Sequence, residues 1–225
     1  MTGLVAVAAV AAAFAGGAGS DSFTTRIDNP YWPMRPGARW VYRETDDDGS
    51  RQKVVVTVTN RTKRVASGIV GRVVRDTVTE DGQLVEDTFD WYAQDRRGNI
   101  WYLGEDTTDY EDGRPVSKEG SFEDGVNGAR RGIVMLAGPR VGREYREERA
   151  PGEAEDEARV LSRDEQVEVP FGHFTNVLMT RNVTPLEPKT QEYKWYARGV
   201  GPVMALSVSG SRDREVLVRF RRGRF

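Results

Sequence analysis

From about residue 38 onward, apolar and polar residues alternate in short runs separated by glycine-bearing polar pairs. A period of two predicts strands, and the 3.6-residue period of a helix is almost absent. Residues 54–59 (VVVTVT) are β-branched or Thr throughout and predict a strand. Residues 38–44 alternate so that Trp40 and Tyr42 share a face. Runs at 65–70 and 73–79 continue the pattern. Asp81-Gly82 predicts a two-residue type I′ hairpin leading into 84–93, and Asp112-Gly113 predicts another between 107–111 and 114–118. Further strands are expected at 143–149, 159–161, 165–169, 177–183, 192–197, 203–209 and 215–220. Residues 151–158 are the one expected helix, about two turns long, with acids near its favourable N-terminal end. Residues 119–142 carry six glycines and predict a long irregular connection around the packed apolar run 133–136.

The densest aromatic pattern lies at 89–107 (FDWYAQDRRGNIWYLGEDT). Two apolar runs, 89–93 and 100–103, flank a polar loop in which Gly98 supplies a left-handed residue after a type I turn at 95–97. Pairing Ala93 with Ile100 sets Trp91 opposite Tyr102 and Tyr92 opposite Trp101, on opposite faces. From the Asp81-Gly82 turn, positions summing to 163 face each other. Val78 then meets Val85, Asp76 meets Asp87, and Val74 meets Phe89, with Arg72 on the same face opposite Trp91. The expected fold is all-β: a large curved antiparallel sheet, a barrel or half-barrel of about ten to twelve strands, with minimal helix.

Ahead of the strands, three prolines within 30–36 forbid both helix and ladder strand, so this stretch predicts an extended arm. Its Tyr31, Trp32 and Met34 are available to dock on the body. Residues 4–15 are small and apolar, too short for a spanning helix but suited to the core of a signal peptide. Residues 1–18 are therefore read as a signal peptide and 19–225 as a single β-rich domain. The expected location is extracellular or periplasmic, with no transmembrane segment in the mature chain.

The formal net charge of −2 offers no field for nucleic acid. The absence of cysteine removes disulfides, thiolate metal sites, a Cys nucleophile and a lipid-modified N-terminal Cys. Residues 144–168 hold ten acids against four arginines and read as an acidic solvated edge, while 212–224 hold six arginines. His173, the one histidine, lies between Phe171 and Phe174 beside a Pro/Gly turn and reads as structural. The aspartates at 46–48 do not match the spacing of a calcium loop. The Asp76/Asp87 pair is the one constellation with chemical interest. Opposed carboxylates on an apolar face would raise one proton affinity unless an Arg sat between them.

The opening Asn29-Pro30-Tyr31, followed by Pro36-Gly37 and by Trp40 and Tyr42, together with the turn Tyr196-Ala197-Arg198-Gly199-Val200-Gly201, resembles a family of uncharacterised exported bacterial β-rich proteins. The resemblance spans most of the chain after the leader and implies no activity. Many members carry a lipid-modified Cys after the signal, which this chain lacks. More distantly, the fold resembles periplasmic lipoprotein carriers, whose curved sheet cups an acyl chain and is closed by helices.

These features favour an exported non-catalytic binding module holding an apolar or amphipathic envelope ligand, such as a lipid, in the concave face. Trp40, Asp76, Asp87, Phe89, Trp91 and Tyr102 are the candidate ligand-binding residues. No catalytic residue, metal ligand or cofactor is assigned. A structural or interaction protein of the envelope is the alternative, and a hydrolase using Asp76 and Asp87 is the third reading.

Overall fold

The computed structural model describes residues 22–46 and 49–225. The leader expected over 1–18, and Asp47 and Asp48 of the 46–49 turn, lie outside the described residues. The first five strands are β1 (Arg39–Thr45), β2 (Arg51–Arg64), β3 (Val70–Glu80), β4 (Gln83–Gln94) and β5 (Ile100–Glu111). Next come β6 (Arg114–Ser117), β7 (Phe122–Glu123), β8 (Arg130–Met135), β9 (Glu144–Arg146) and β10 (Glu148–Arg149). The last are β11 (Glu157–Val169), β12 (Gly172–Val183), β13 (Gln191–Ala197), β14 (Gly201–Ser209) and β15 (Arg214–Arg221). All pairings among them are antiparallel.

The sheet order is β10-β8-β5-β4-β3-β2-β1-β15-β14-β13-β12-β11-β9, with β6 and β7 also paired to β5. The two ends of that order are neighbours in the chain. β9 and β10 are separated by Glu147 alone, yet β9 pairs with β11 and β10 pairs with β8. The sheet therefore curls until its ends meet in one kinked segment, giving a nearly closed barrel and removing the exposed edges that an open sheet must otherwise protect. The fifteen strands of the described residues exceed the expected number because β6, β7, β9 and β10 are fragments of two to four residues.

The turn chemistry acts as expected. Asp81 and Gly82 have φ of 49° and 82°, and Asp112 and Gly113 have 51° and 72°, the positive values a type I′ turn requires. In the central hairpin, Gly98 has φ 90°, its N–H donates to Asp95 O at 3.0 Å, and Asp95 N–H donates to Asn99 O at 3.0 Å.

The registers differ from expectation. Beyond Thr79↔Leu84 the β3–β4 ladder carries a bulge, so Val78 pairs with Glu86, Asp76 with Thr88 and Thr77 with Asp87. Asp76 and Asp87 thus point to opposite faces. The β4–β5 hairpin closes one residue later than expected, pairing Tyr92 with Tyr102 and Ala93 with Trp101. A second bulge then sets Trp91 opposite Gly104. Trp91 and Trp101 consequently share the outer face, and Tyr102 faces inward. Gly104 explains the second shift. Its φ is 127°, and a Cβ there would lie 2.1 Å from Phe122 O, so only glycine admits β7 this close.

Three other elements depart from expectation. The connection expected to be irregular over 119–142 contributes β7 and β8, both paired with β5. Residues 151–158 form no helix: Gly152 adopts φ 78°, Ala150 bridges to Ala154, and Glu157 already begins β11. A two-turn helix is too short to stand against that pairing. Residues 65–69 form a turn rather than a strand, closed by Val65 N–H to Ile69 O at 2.9 Å.

The arm before β1 closes one end of the barrel. Ile27, Tyr31 and Met34 are almost fully buried. Buried Asn29 donates through Nδ2 to Gly98 O (2.8 Å) and Leu136 O (3.2 Å), and its Oδ1 accepts from Tyr31 N–H (2.9 Å). Trp32 reaches across the barrel, with ring centroids 5.8 Å from Tyr92 on β4 and 6.0 Å from Tyr196 on β13. On the outer face, Trp91, Leu103, Val65, Val73 and Ala93 make a second, smaller core. The sheet is thus covered on both sides near the central hairpin.

Candidate functional site

The barrel interior is not filled. It encloses a chamber of about 360 Å³, within the usual range of small-molecule sites. Strand alternation builds its walls. On β1, Trp40, Tyr42 and Glu44 point inward in succession, and on β13, Tyr196, Lys194 and Glu192 do the same. At about 3.3 Å per residue, Glu44 stands roughly 13 Å along the barrel from Trp40. Both strands pass from an aromatic inner end, beside Trp32 and Met34 of the arm, to an ionisable outer end.

The aromatic end is held rigidly. Trp40 Nε1–H donates to Val200 O at 2.9 Å, and Tyr42 O–H donates to Pro202 O at 3.1 Å. Tyr92 and Tyr102 stack with centroids 4.8 Å apart, and Tyr102 O–H donates to Asp90 Oδ1 at 2.6 Å. Their hydroxyls are satisfied while their ring faces remain part of the wall.

Among the described residues, eight carboxyl groups line the chamber, against one cationic side chain, Lys194. Lys194 is already engaged, with Nζ 3.0 Å from Glu192 Oε2. Burial pulls its ammonium down, but Glu192 and Glu147 outweigh this and leave it raised well above the ordinary value. Glu44 and Glu215 are direct cross-strand partners of β1 and β15. Burial raises the Glu215 carboxyl well above its ordinary value, helped by Asp76 and Glu44. Burial, with Asp90 and Glu86 nearby, pushes Asp76 up to about 8. Its Oδ1 is buried without a hydrogen-bond partner. Asp90 rises only to about 6, because burial is opposed by the hydroxyls of Tyr102 and Tyr92. Glu147 and Glu148 rise to about 7 and 8, again chiefly through burial. Chemically, such a wall can hold positive charge, or donate hydrogen bonds from its protonated carboxyls.

Of the residues expected to bind ligand, Trp40, Asp76 and Tyr102 line the chamber. Phe89 and Trp91 lie on the outer face with the second core. Asp87 is also outside, held bidentately by Arg75 at 2.7 and 2.9 Å. Asp76 and Asp87 therefore cannot act on one substrate, which removes the arrangement on which the hydrolase reading rested. Arg72 does not bridge them; its guanidinium donates to Thr25 O and Asn60 O.

Glu147, Glu148 and Asp156 were missed. They belong to the segment expected to be a solvated edge, yet the β9–β10 kink turns them into the chamber. Asn182 Nδ2–H holds Glu147 Oε2 at 2.5 Å. Glu192, Lys194 and Glu215 were also missed, although the inward alternation with Tyr196 and Leu217 could have signalled them. His173 pairs with Glu168 in the β11–β12 ladder, outside the chamber lining.

No helix among the described residues is long and apolar enough to cross a membrane. No family model and no curated protein matches the chain. Among solved structures, the chain is similar to a protein of Parabacteroides distasonis described as a "putative lipoprotein", with a TM-score of 0.48 at 14% identity, over 86% of this chain and 99% of that one.

Proposed function

We propose that this protein is an exported, non-catalytic binding module that takes a small amphipathic molecule into its barrel. The observation that carries the reading is the unfilled chamber of about 360 Å³, graded from Trp32, Trp40 and Tyr92 at one end to ionisable side chains at the other. A structural protein would gain stability by filling that space, because voids forfeit packing energy. The polar walls favour an amphipathic occupant over a wholly apolar lipid. Export is supported by the short apolar, small-residue run at 4–15, which suits a signal-peptide core. The test is native mass spectrometry of the protein purified from its own host, paired with tryptophan fluorescence against a panel of amphiphiles. A co-purifying small molecule, or saturable quenching of the chamber tryptophans, is expected. An empty protein whose fluorescence responds to no member of the panel would end the reading.

A further inference from the structure

We infer that the chamber's occupant is an organic ammonium ion, its apolar part against Trp40 and Tyr92 and its charge matched by Asp76, Glu44 and Glu215. This rests on the binding reading above and adds the charge of the ligand.

The first argument is the charge imbalance of the chamber lining. Several acids outside the chamber have cations of their own: Asp87 has Arg75, Asp124 has Arg131, Glu123 has Lys63 and Glu157 has Arg146. The chain has 28 arginines, yet among the described residues none lines the chamber, where eight carboxyls face a single lysine already bridged to Glu192. A wall of many carboxyls with one lysine and no arginine suits a cation arriving from elsewhere. The second argument is Asp76 itself. A buried carboxylate oxygen without a partner is costly, and a ligand N–H or a cationic methyl face aimed at it would relieve that cost. Glu44 and Glu215 stand directly opposite one another on the ladder, an arrangement that repels unless protons or a cation intervene.

The third argument concerns which cation. Among the described residues, no group of three or more acids or histidines converges closely enough to hold a metal ion. The carboxyls instead come from several strands around the wall, Asp90 beside the Tyr92 and Tyr102 rings and Glu44, Glu192 and Glu215 farther along β1, β13 and β15. Distributed negative charge with aromatic faces suits a diffuse, weakly hydrated ammonium. An anionic amphiphile would have to bring its charge among these acids, against both repulsion and desolvation.

The test uses three probes sharing one chain: decyltrimethylammonium, decanol and decanoate, titrated below their micelle concentrations at pH 7.5 by calorimetry and tryptophan fluorescence. The ammonium is expected to bind at least about tenfold more tightly than the alcohol, with decanoate weakest. In the Asp76→Asn/Glu215→Gln variant, ammonium affinity should fall about tenfold while decanol affinity stays unchanged. Glu44→Gln alone is the second variant should the double one fold poorly, with a smaller loss in the same direction. Decanol or decanoate binding as tightly as the ammonium overturns the cation assignment and leaves the binding reading intact. Ammonium affinity indifferent to these variants overturns it as well. Failure of all three probes overturns both readings.

Discussion

Replacing Asp76 by Asn should make the protein more stable at neutral and alkaline pH and leave it unchanged near pH 4. The Asp76 carboxyl is raised from 3.8 to about 8 by burial and by the negative groups around it. Between those values the folded chain holds a proton that the unfolded chain has released, so stability falls as pH rises through that window and is level on either side. At 1.36 kcal/mol per unit, the full shift would cost about 4 kcal/mol at pH 7. Because the group lines a chamber reached by water, screening reduces this to about 1–2 kcal/mol. Asn has the shape of the protonated acid and cannot ionise. Asp76→Asn should therefore gain about 1–2 kcal/mol at pH 7 and match the parent near pH 4. Urea unfolding followed by tryptophan fluorescence at pH 4, 5.5, 7 and 8.5 measures both. The parent should lose stability steadily from pH 5.5 to 8.5, since Glu147 and Glu148, raised to about 7 and 8, add to the same trend. A variant less stable than the parent at pH 7, or equally stabilised at pH 4 and 7, would refute the claim that ionisation at this site works against the fold.

Three other outcomes are expected. Trp91 is 5% exposed in the outer-face core, so Trp91→Ala should cost about 3–5 kcal/mol in the same unfolding assay while leaving probe binding unchanged. Loss of probe binding at preserved stability would place Trp91 in the site instead. Gly104→Ala drives a Cβ to within 2.1 Å of Phe122 O at a φ of 127°. It should lower the urea midpoint by the equivalent of about 3 kcal/mol or more, and a neutral effect would contradict the close β5–β7 approach. Asn29→Ala leaves the carbonyls of Gly98 and Leu136 without their donor and should cost about 2–3 kcal/mol by thermal and urea unfolding. An unchanged midpoint would mean that the arm does not hold the barrel end closed.

The sequence by itself determined that this chain is β-sheet, where several of its hairpins turn, and that an arm at 29–36 docks on the body. Those features are local. Valine-rich alternation, Asp-Gly at φ-positive positions and prolines without N–H groups act through their own backbone and need no distant partner. The hairpin loop at 95–99 was legible for the same reason, as were the inward positions of Trp40 and Tyr42. Register was not. A strand has a period of two, so one extra residue reverses every side chain beyond it. The extra residues at Val85 and Leu103 come from bulges. The second is fixed by the approach of Phe122, nearly twenty residues away. The Val85 offset separated Asp76 and Val74 from Asp87, Phe89 and Trp91, and the one-residue shift of the central hairpin separated Trp91 from Tyr102. The chamber was still less legible. Its carboxyls come from β1, β3, β4, β13 and β15, from the β9–β10 kink and from Asp156 just before β11, and all but Asp76 look locally like ordinary solvent-facing acids. An alternating acid reads the same whether it faces bulk water or the lumen of a barrel. Only closure of the sheet through Glu144–Arg146 and Glu148–Arg149 turned those acids toward one another and away from the arginines that pair their counterparts outside.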